Sequence, residues 1–192
     1  QLKNVKTTMT RMAEKGVRGF RLYAFPDRVK NWEAHRGIAT MWKTGAEEGL
    51  AMCCLSNPEV LPVNRKMCER FPDTPVVIDH FSRIGRSGSF EEEPLDNLLK
   101  LAEFPNVHVK TSAFYALGKK VPPYLDLLPM FQQVRDAFGA ERLMWGSDCP
   151  YQLQGDHTYE ASLDLVTKQA DFLSEEEKQQ ILQGTAEKLF FS

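Results

Sequence analysis

The chain has 192 residues, 42% of them hydrophobic and 26% charged, with a formal charge of -2. These values describe one ordinary globular domain with a hydrophobic core and exclude a disordered or strongly basic chain. Acidic and basic residues are interspersed, and no apolar run approaches the roughly 18 residues of a membrane span, so the sequence offers neither a nucleic-acid face nor a membrane segment.

Apolar residues at Leu2, Val5, Met9 and Met12 recur at helical spacing and stop at Lys15-Gly16, where glycine suits a helix C-terminus. A short strand is predicted near 17–22, in GVRGFRLY. A helix over 31–48 follows, carrying Trp32, Ile38, Met41 and Trp42 and closing at Gly49. LAMCCL reads as a buried strand near 50–55, Pro58 to Arg70 as a helix, and TPVVIDH as a β-branched strand near 75–80. The alternation then repeats. Glu91 to Phe104 is predicted helical, NVHVKTS a strand near 106–111, Tyr124 to Phe138 a helix ending at Gly139, and RLMWGSD a strand near 142–147. A helix over 159–172 and one opened by the capping box Ser174-x-x-Glu177 complete the chain. Strands alternating with helices imply a parallel sheet with right-handed crossovers, either an open doubly wound sheet or a (β/α) barrel.

The four cysteines, Cys53, Cys54, Cys68 and Cys149, form no Cys-x-x-Cys pair, and the adjacent pair Cys53-Cys54 is a poor start for a disulfide framework. A reduced, cytoplasmic setting is expected, with Cys53, Cys54 and Cys149 as small buried hydrophobes. His35 and His157 read as surface residues, and His108 as lying at the far end of its strand. The chain opens on Gln1 inside an amphipathic segment without an initiator methionine or signal peptide, so it is expected to be part of a longer polypeptide.

Strand side chains alternate between faces, which groups Val76, Ile78 and His80 on one face of their strand and Met144, Gly146 and Asp148 on one face of theirs. Arg21, His80, Lys110 and Asp148 are thereby expected at or near strand C-terminal ends, the edge at which α/β proteins bind ligands. Pro150 stops any continuing strand behind Asp148. Each residue has a plain structural reading too: a core histidine, snorkelling cations, a turn aspartate. Arg83 and Arg86, near Gly85 and Gly88, suit either an anion-holding loop or a solvated turn.

The succession GVRGFRL, TPVVIDH, NVHVKTSAFY, ERLMWGSDCP and the closing GTAEKLF resembles the amidohydrolase-related family of TIM-barrel hydrolases. That family includes sugar lactonases, pyrone dicarboxylate lactonase and a muconate-semialdehyde decarboxylase. The resemblance covers essentially the whole chain, and its most specific pieces are the strand-ending histidine of VVIDH and the aspartate of WGSDCP. It implies a (β/α)8 barrel of which residues 1–192 form the C-terminal portion of a single domain, with about five parallel strands and the N-terminal strands, including a His-x-His motif, missing. It also implies Asp148 and His80 as catalytic residues and as ligands of a divalent metal, zinc being the candidate, although metal-free members exist.

Arg21, Lys110 and Tyr115 are then expected to bind a small carboxylated or sugar-derived substrate. The reaction implied is water attack on a lactone or similar C–O or C–N bond. A decarboxylase on the same scaffold and a non-catalytic anion-binding module are the alternatives. The expected partner is a small molecule, with no nucleic acid and no membrane. A homo-oligomer is compatible with the sequence, and the chain alone is expected to bind metal poorly and to associate through open sheet edges.

Overall fold

The computed structural model describes residues 4–191; Leu2, the first apolar position of the expected opening helix, lies outside them. In chain order come α1 (Asn4–Glu14), β1 (Gly19–Ala24), the short α2 (Pro26–Val29), α3 (Arg36–Glu48), β2 (Ala51–Ser56), α4 (Leu61–Arg70), β3 (Val76–Ile78), α5 (Glu92–Leu99) and β4 (Val107–Ser112). Then follow α6 (Leu128–Phe138), β5 (Leu143–Gly146), α7 (Tyr159–Asp164), α8 (Glu175–Gln179) and α9 (Thr185–Phe190), with π-helical turns after α7 and α8.

All strand pairings are parallel, and the sheet order is β1-β2-β3-β4-β5. A doubly wound sheet would reverse direction at a switch point. Strictly sequential order is that of a barrel, here open, with β1 and β5 each paired on one side among the described residues.

The alternation of side chains gives the sheet two unlike faces. Leu22, Met52, Cys54, Ile78, Val109 and Leu143 look toward the helices and belong to the main core with Trp42, Phe131 and Phe138. Each fully buried large apolar side chain contributes on the order of 1.5–3 kcal/mol relative to exposure. The opposite face carries Arg21, Ala51, Cys53, Val77, Lys110 and Met144, and only a small cluster of Ala51, Val77 and Met144 is dry, capped by Leu189 and Phe190 of α9.

Several expected boundaries move for identifiable reasons. The helix expected from Asn31 starts at Arg36, where His35 is the N-cap and its Nδ1 accepts from the Ile38 amide at 3.3 Å. The helix expected from Tyr124 starts at Leu128, because Tyr124 takes a left-handed conformation (φ 63°) and buries its ring outside the helix. Gly49 and Gly139 end α3 and α6 with φ of 64° and 75°, as expected of glycine stops. The Ser174–Glu177 capping box forms with both of its bonds. Cys149 is exposed rather than buried, because it follows the strand into a surface turn.

Candidate active site

β3 is shorter than expected, and that changes how the site is built. Asp79, not His80, shares the inward parity of Val77, and the regular strand stops just before it, at Ile78. The chain then makes a left-handed turn with φ of 55°, 50°, 53° and 60° at His80, Phe81, Ser82 and Arg83. An ordinary continuation would have sent His80 with Ile78 toward the helices. The turn swings it back over the strand ends instead. Left-handed backbone costs a non-glycine residue on the order of 1–2 kcal/mol, so the segment needs outside support. Phe81 is fully buried and lies edge-on to Phe131 at 5.9 Å. Ser82 Oγ is 2.8 Å from Ser56 Oγ, which also accepts from Asn64 Nδ2 at 3.3 Å. Arg83 donates to Asn57 Oδ1 at 3.0 Å.

Asp148, two residues past β5, is also left-handed (φ 52°), and the Cys149–Pro150 bond behind it is cis. Its carboxylate does not cap its own turn. Tyr115, just past β4, donates its hydroxyl to Asp148 Oδ2 at 2.8 Å. The other oxygen, Oδ1, faces His80 Nε2 at 3.7 Å. That separation is too long for a direct hydrogen bond and fits one small atom or water between the two. The far ring nitrogen of His80, Nδ1, is 2.8 Å from Ser112 Oγ, which fixes the ring's orientation.

Burial pushes the His80 imidazole below its ordinary value, against the pull of Asp148 and Asp79, so the neutral ring dominates near neutral pH. Burial, and then the bond to Asp148, push the Tyr115 phenol up, so it stays a donor.

Arg21 and Lys110 lie mid-strand rather than at strand ends, on the inner face, and both reach Asp79. Lys110 Nζ is 3.0 Å from Asp79 Oδ1, and Arg21 Nη2 is 3.3 Å from Oδ2. The Cys53 thiol beside them is pushed up to about 11, first by burial and then by Asp79, so it is not a nucleophile at neutral pH.

Arg83 and Arg86 line a cleft of about 410 Å³ with Glu59 and Asn97. Arg86 is paired with Glu59 at 3.0 Å and Arg83 with Asn57, so both already have partners that fix the loop. His157 is half-buried, stacked on Tyr124 and bonded to its hydroxyl at 2.9 Å, not a plain surface residue.

The sequence reading overlooked Asp79. Its signal was the parity it shares with Val77 in VVIDH. A divalent metal has less support. Among the described residues no group of three or more His, Cys, Asp or Glu converges. His80 and Asp148 supply two donors, whereas a catalytic zinc takes three from protein. The described residues alone do not fit such an ion.

Parallel strands in sequential order with the main layer of helices packed on one face define a (β/α)-barrel protein, and the candidate site, built around His80 and Asp148, lies at the C-terminal edge of its strands. The family model described as Amidohydrolase matches residues 4–191, and the chain belongs to that family. It is 34% identical to L-fucono-1,5-lactonase of Burkholderia ambifaria over 108 residues, which are 56% of this chain and 37% of the relative. It is 32% identical to 4-sulfomuconolactone hydrolase of Rhizobium radiobacter over 79 residues, 41% of this chain and 26% of that protein. The matched region therefore spans well under half the length of these curated relatives. An amidohydrolase from Burkholderia multivorans, solved with bound zinc, superposes with a TM-score of 0.78 at 24% identity, covering 97% of this chain and 70% of that one.

Proposed function

We propose that the protein is a hydrolase that opens a lactone or a similar C–O or C–N bond of a small carboxylated or sugar-derived substrate. The observation that carries this reading is the facing pair Asp148 Oδ1 and His80 Nε2, 3.7 Å apart. In this proposal a water held between them is deprotonated by Asp148 as it attacks the carbonyl carbon. Neutral His80, set by Ser112, donates toward the oxygen on which charge develops. The ring C–O bond then breaks, and the leaving oxygen takes up the proton.

Tyr115 keeps Asp148 turned so that one oxygen remains for water. Arg21 and Lys110 bind the substrate's anionic group. Lactone-opening relatives support this class of reaction. A divalent metal, zinc first, would need donors beyond the described residues, and no step here runs through one. We place the active form in a closed barrel, with further strands flanking the open edges of β1 and β5, and the protein in the cytoplasm, in keeping with its four free thiols.

The test is turnover by the full-length protein on a panel of sugar lactones, ring-carboxylated lactones and aromatic carboxylates. Ring opening of a lactone is expected. Release of carbon dioxide from a carboxylate, without lactone hydrolysis, would replace this reading with a decarboxylase. Binding without turnover of any panel member would leave an anion-binding module.

A further inference from the structure

Asp79 is 0% exposed, yet neither of its carboxylate oxygens makes an aligned hydrogen bond among the described residues. A buried carboxylate without such bonds is costly and persists where cations compensate it. Here the compensation comes from Lys110 Nζ at 3.0 Å on one oxygen and Arg21 Nη2 at 3.3 Å on the other. The two cations come from strands at different places in the sheet, β1 and β4, and Asp79 is their common ion-pair partner among the described residues.

Exposure is unequal within the trio. The Asp79 side chain is fully covered, while those of Lys110 and Arg21 are 23% and 41% exposed. Lysine has three donors and arginine five, so one contact each leaves most of them available on the accessible side. One carboxylate against two cations leaves a positive charge unbalanced in the trio. His80 is bonded to Ser112, two residues beyond Lys110 on β4, so this surplus lies next to the proposed reacting centre.

We propose that Asp79 is a positioning residue: it holds Arg21 and Lys110 as a two-cation clamp whose surplus charge selects a substrate bearing a carboxylate over an uncharged lactone. This rests on the hydrolase reading above and narrows its substrate class. Asp79 touches neither the substrate nor the reacting atoms. It fixes the spacing of the two side chains that do hold the substrate. Asparagine at this position keeps the shape but removes the charge that holds them, and their mutual repulsion then lets them part.

The experiment uses the full-length protein and its Asp79→Asn and Asp79→Glu variants, with two readouts. One is the Kd of glutarate, a carboxylate that cannot be hydrolysed. The other is KM and kcat for a butyrolactone carrying a ring carboxylate and for its methyl ester. Asp79→Asn is expected to weaken glutarate binding and raise KM for the charged lactone roughly tenfold or more, since each held cation–carboxylate bond is a strong one. The ester, which offers the clamp no charge, should lose clearly less than the charged lactone, and Asp79→Glu should recover part of the loss.

Unchanged glutarate binding in folded Asp79→Asn would overturn the proposal, as would equal losses on the charged and the uncharged lactone. If Asp79→Asn does not fold, Arg21→Gln and Lys110→Gln carry the test, each expected to weaken glutarate binding several-fold; no change in either overturns the clamp. Glutarate binding that depends on Asp79 in a protein that opens no lactone would sustain the clamp and sink the hydrolase reading alone.

Discussion

His80 and Asp148 both sit in left-handed backbone just beyond a strand, with φ of 55° and 52°, but the two loops that carry them are held in different ways. The loop after β3 strings together four left-handed residues and anchors them inside the protein through Phe81, the Ser82–Ser56–Asn64 contacts and the Arg83–Asn57 bond. The loop after β5 has one such non-glycine residue before it runs into the exposed residues Cys149, Pro150 and Tyr151. Its aspartate is steadied by the Tyr115 hydroxyl and by the Gln152 amide, which donates to the Asp148 carbonyl at 3.3 Å. The histidine is thus fixed by the core, whereas the aspartate is fixed by a tether. Damage to the first loop should register mainly as lost stability, and damage to the second mainly as lost activity.

The hardest way to break this contrast is Phe81→Ala. Removing a fully buried ring that supports four strained residues should cost about 3–5 kcal/mol of unfolding free energy, read by urea denaturation. A cost below about 1 kcal/mol would mean that the turn holds itself. Tyr115→Phe removes only the tether. Without it Asp148 can turn away from the water, so kcat should fall roughly tenfold or more, while unfolding free energy should drop by no more than the roughly 1.5–3 kcal/mol of one bond to a charged acceptor, less than for Phe81→Ala. A large loss of stability without loss of rate would reverse the assignment of the two loops.

The smallest effect is a pH dependence. Burial lowers the pKa of both His80 and His108, so below the ordinary imidazole value of 6.5 the unfolded chain binds protons that the folded chain resists. Stability should therefore be fully present above that value and decline as pH falls through it toward the folded values. Denaturation midpoints across this range check the sign, and His108→Gln should flatten the decline in part.

Much of this architecture was legible in the sequence because it rests on periodicity. β-Branched runs marked the strands, Gly49 and Gly139 marked helix ends, and Ser174 with Glu177 marked a cap. The errors gather where the backbone turns left-handed without glycine. His80, Phe81, Ser82, Arg83, Tyr124 and Asp148 carry no compositional sign of that conformation, because tertiary contacts impose it. Extending β3 to His80 grouped the histidine with Ile78, and left Asp79, which shares the inward parity of Val77, without a role. Arg21 and Lys110 were placed on the correct faces but too near the strand ends, and their shared partner could not be seen without Asp79.

The central claim is that Asp148 takes the proton from the attacking water while His80 faces it. Its most direct test is lactone hydrolysis by an Asp148→Asn variant of the full-length protein, with circular dichroism and the denaturation midpoint as controls for folding. Asparagine keeps an oxygen for the Tyr115 hydroxyl but cannot act as the base. The account predicts a folded variant whose rate falls on the order of 10²–10⁴. A folded Asp148→Asn protein that hydrolyses the same lactone at the unaltered rate would contradict it.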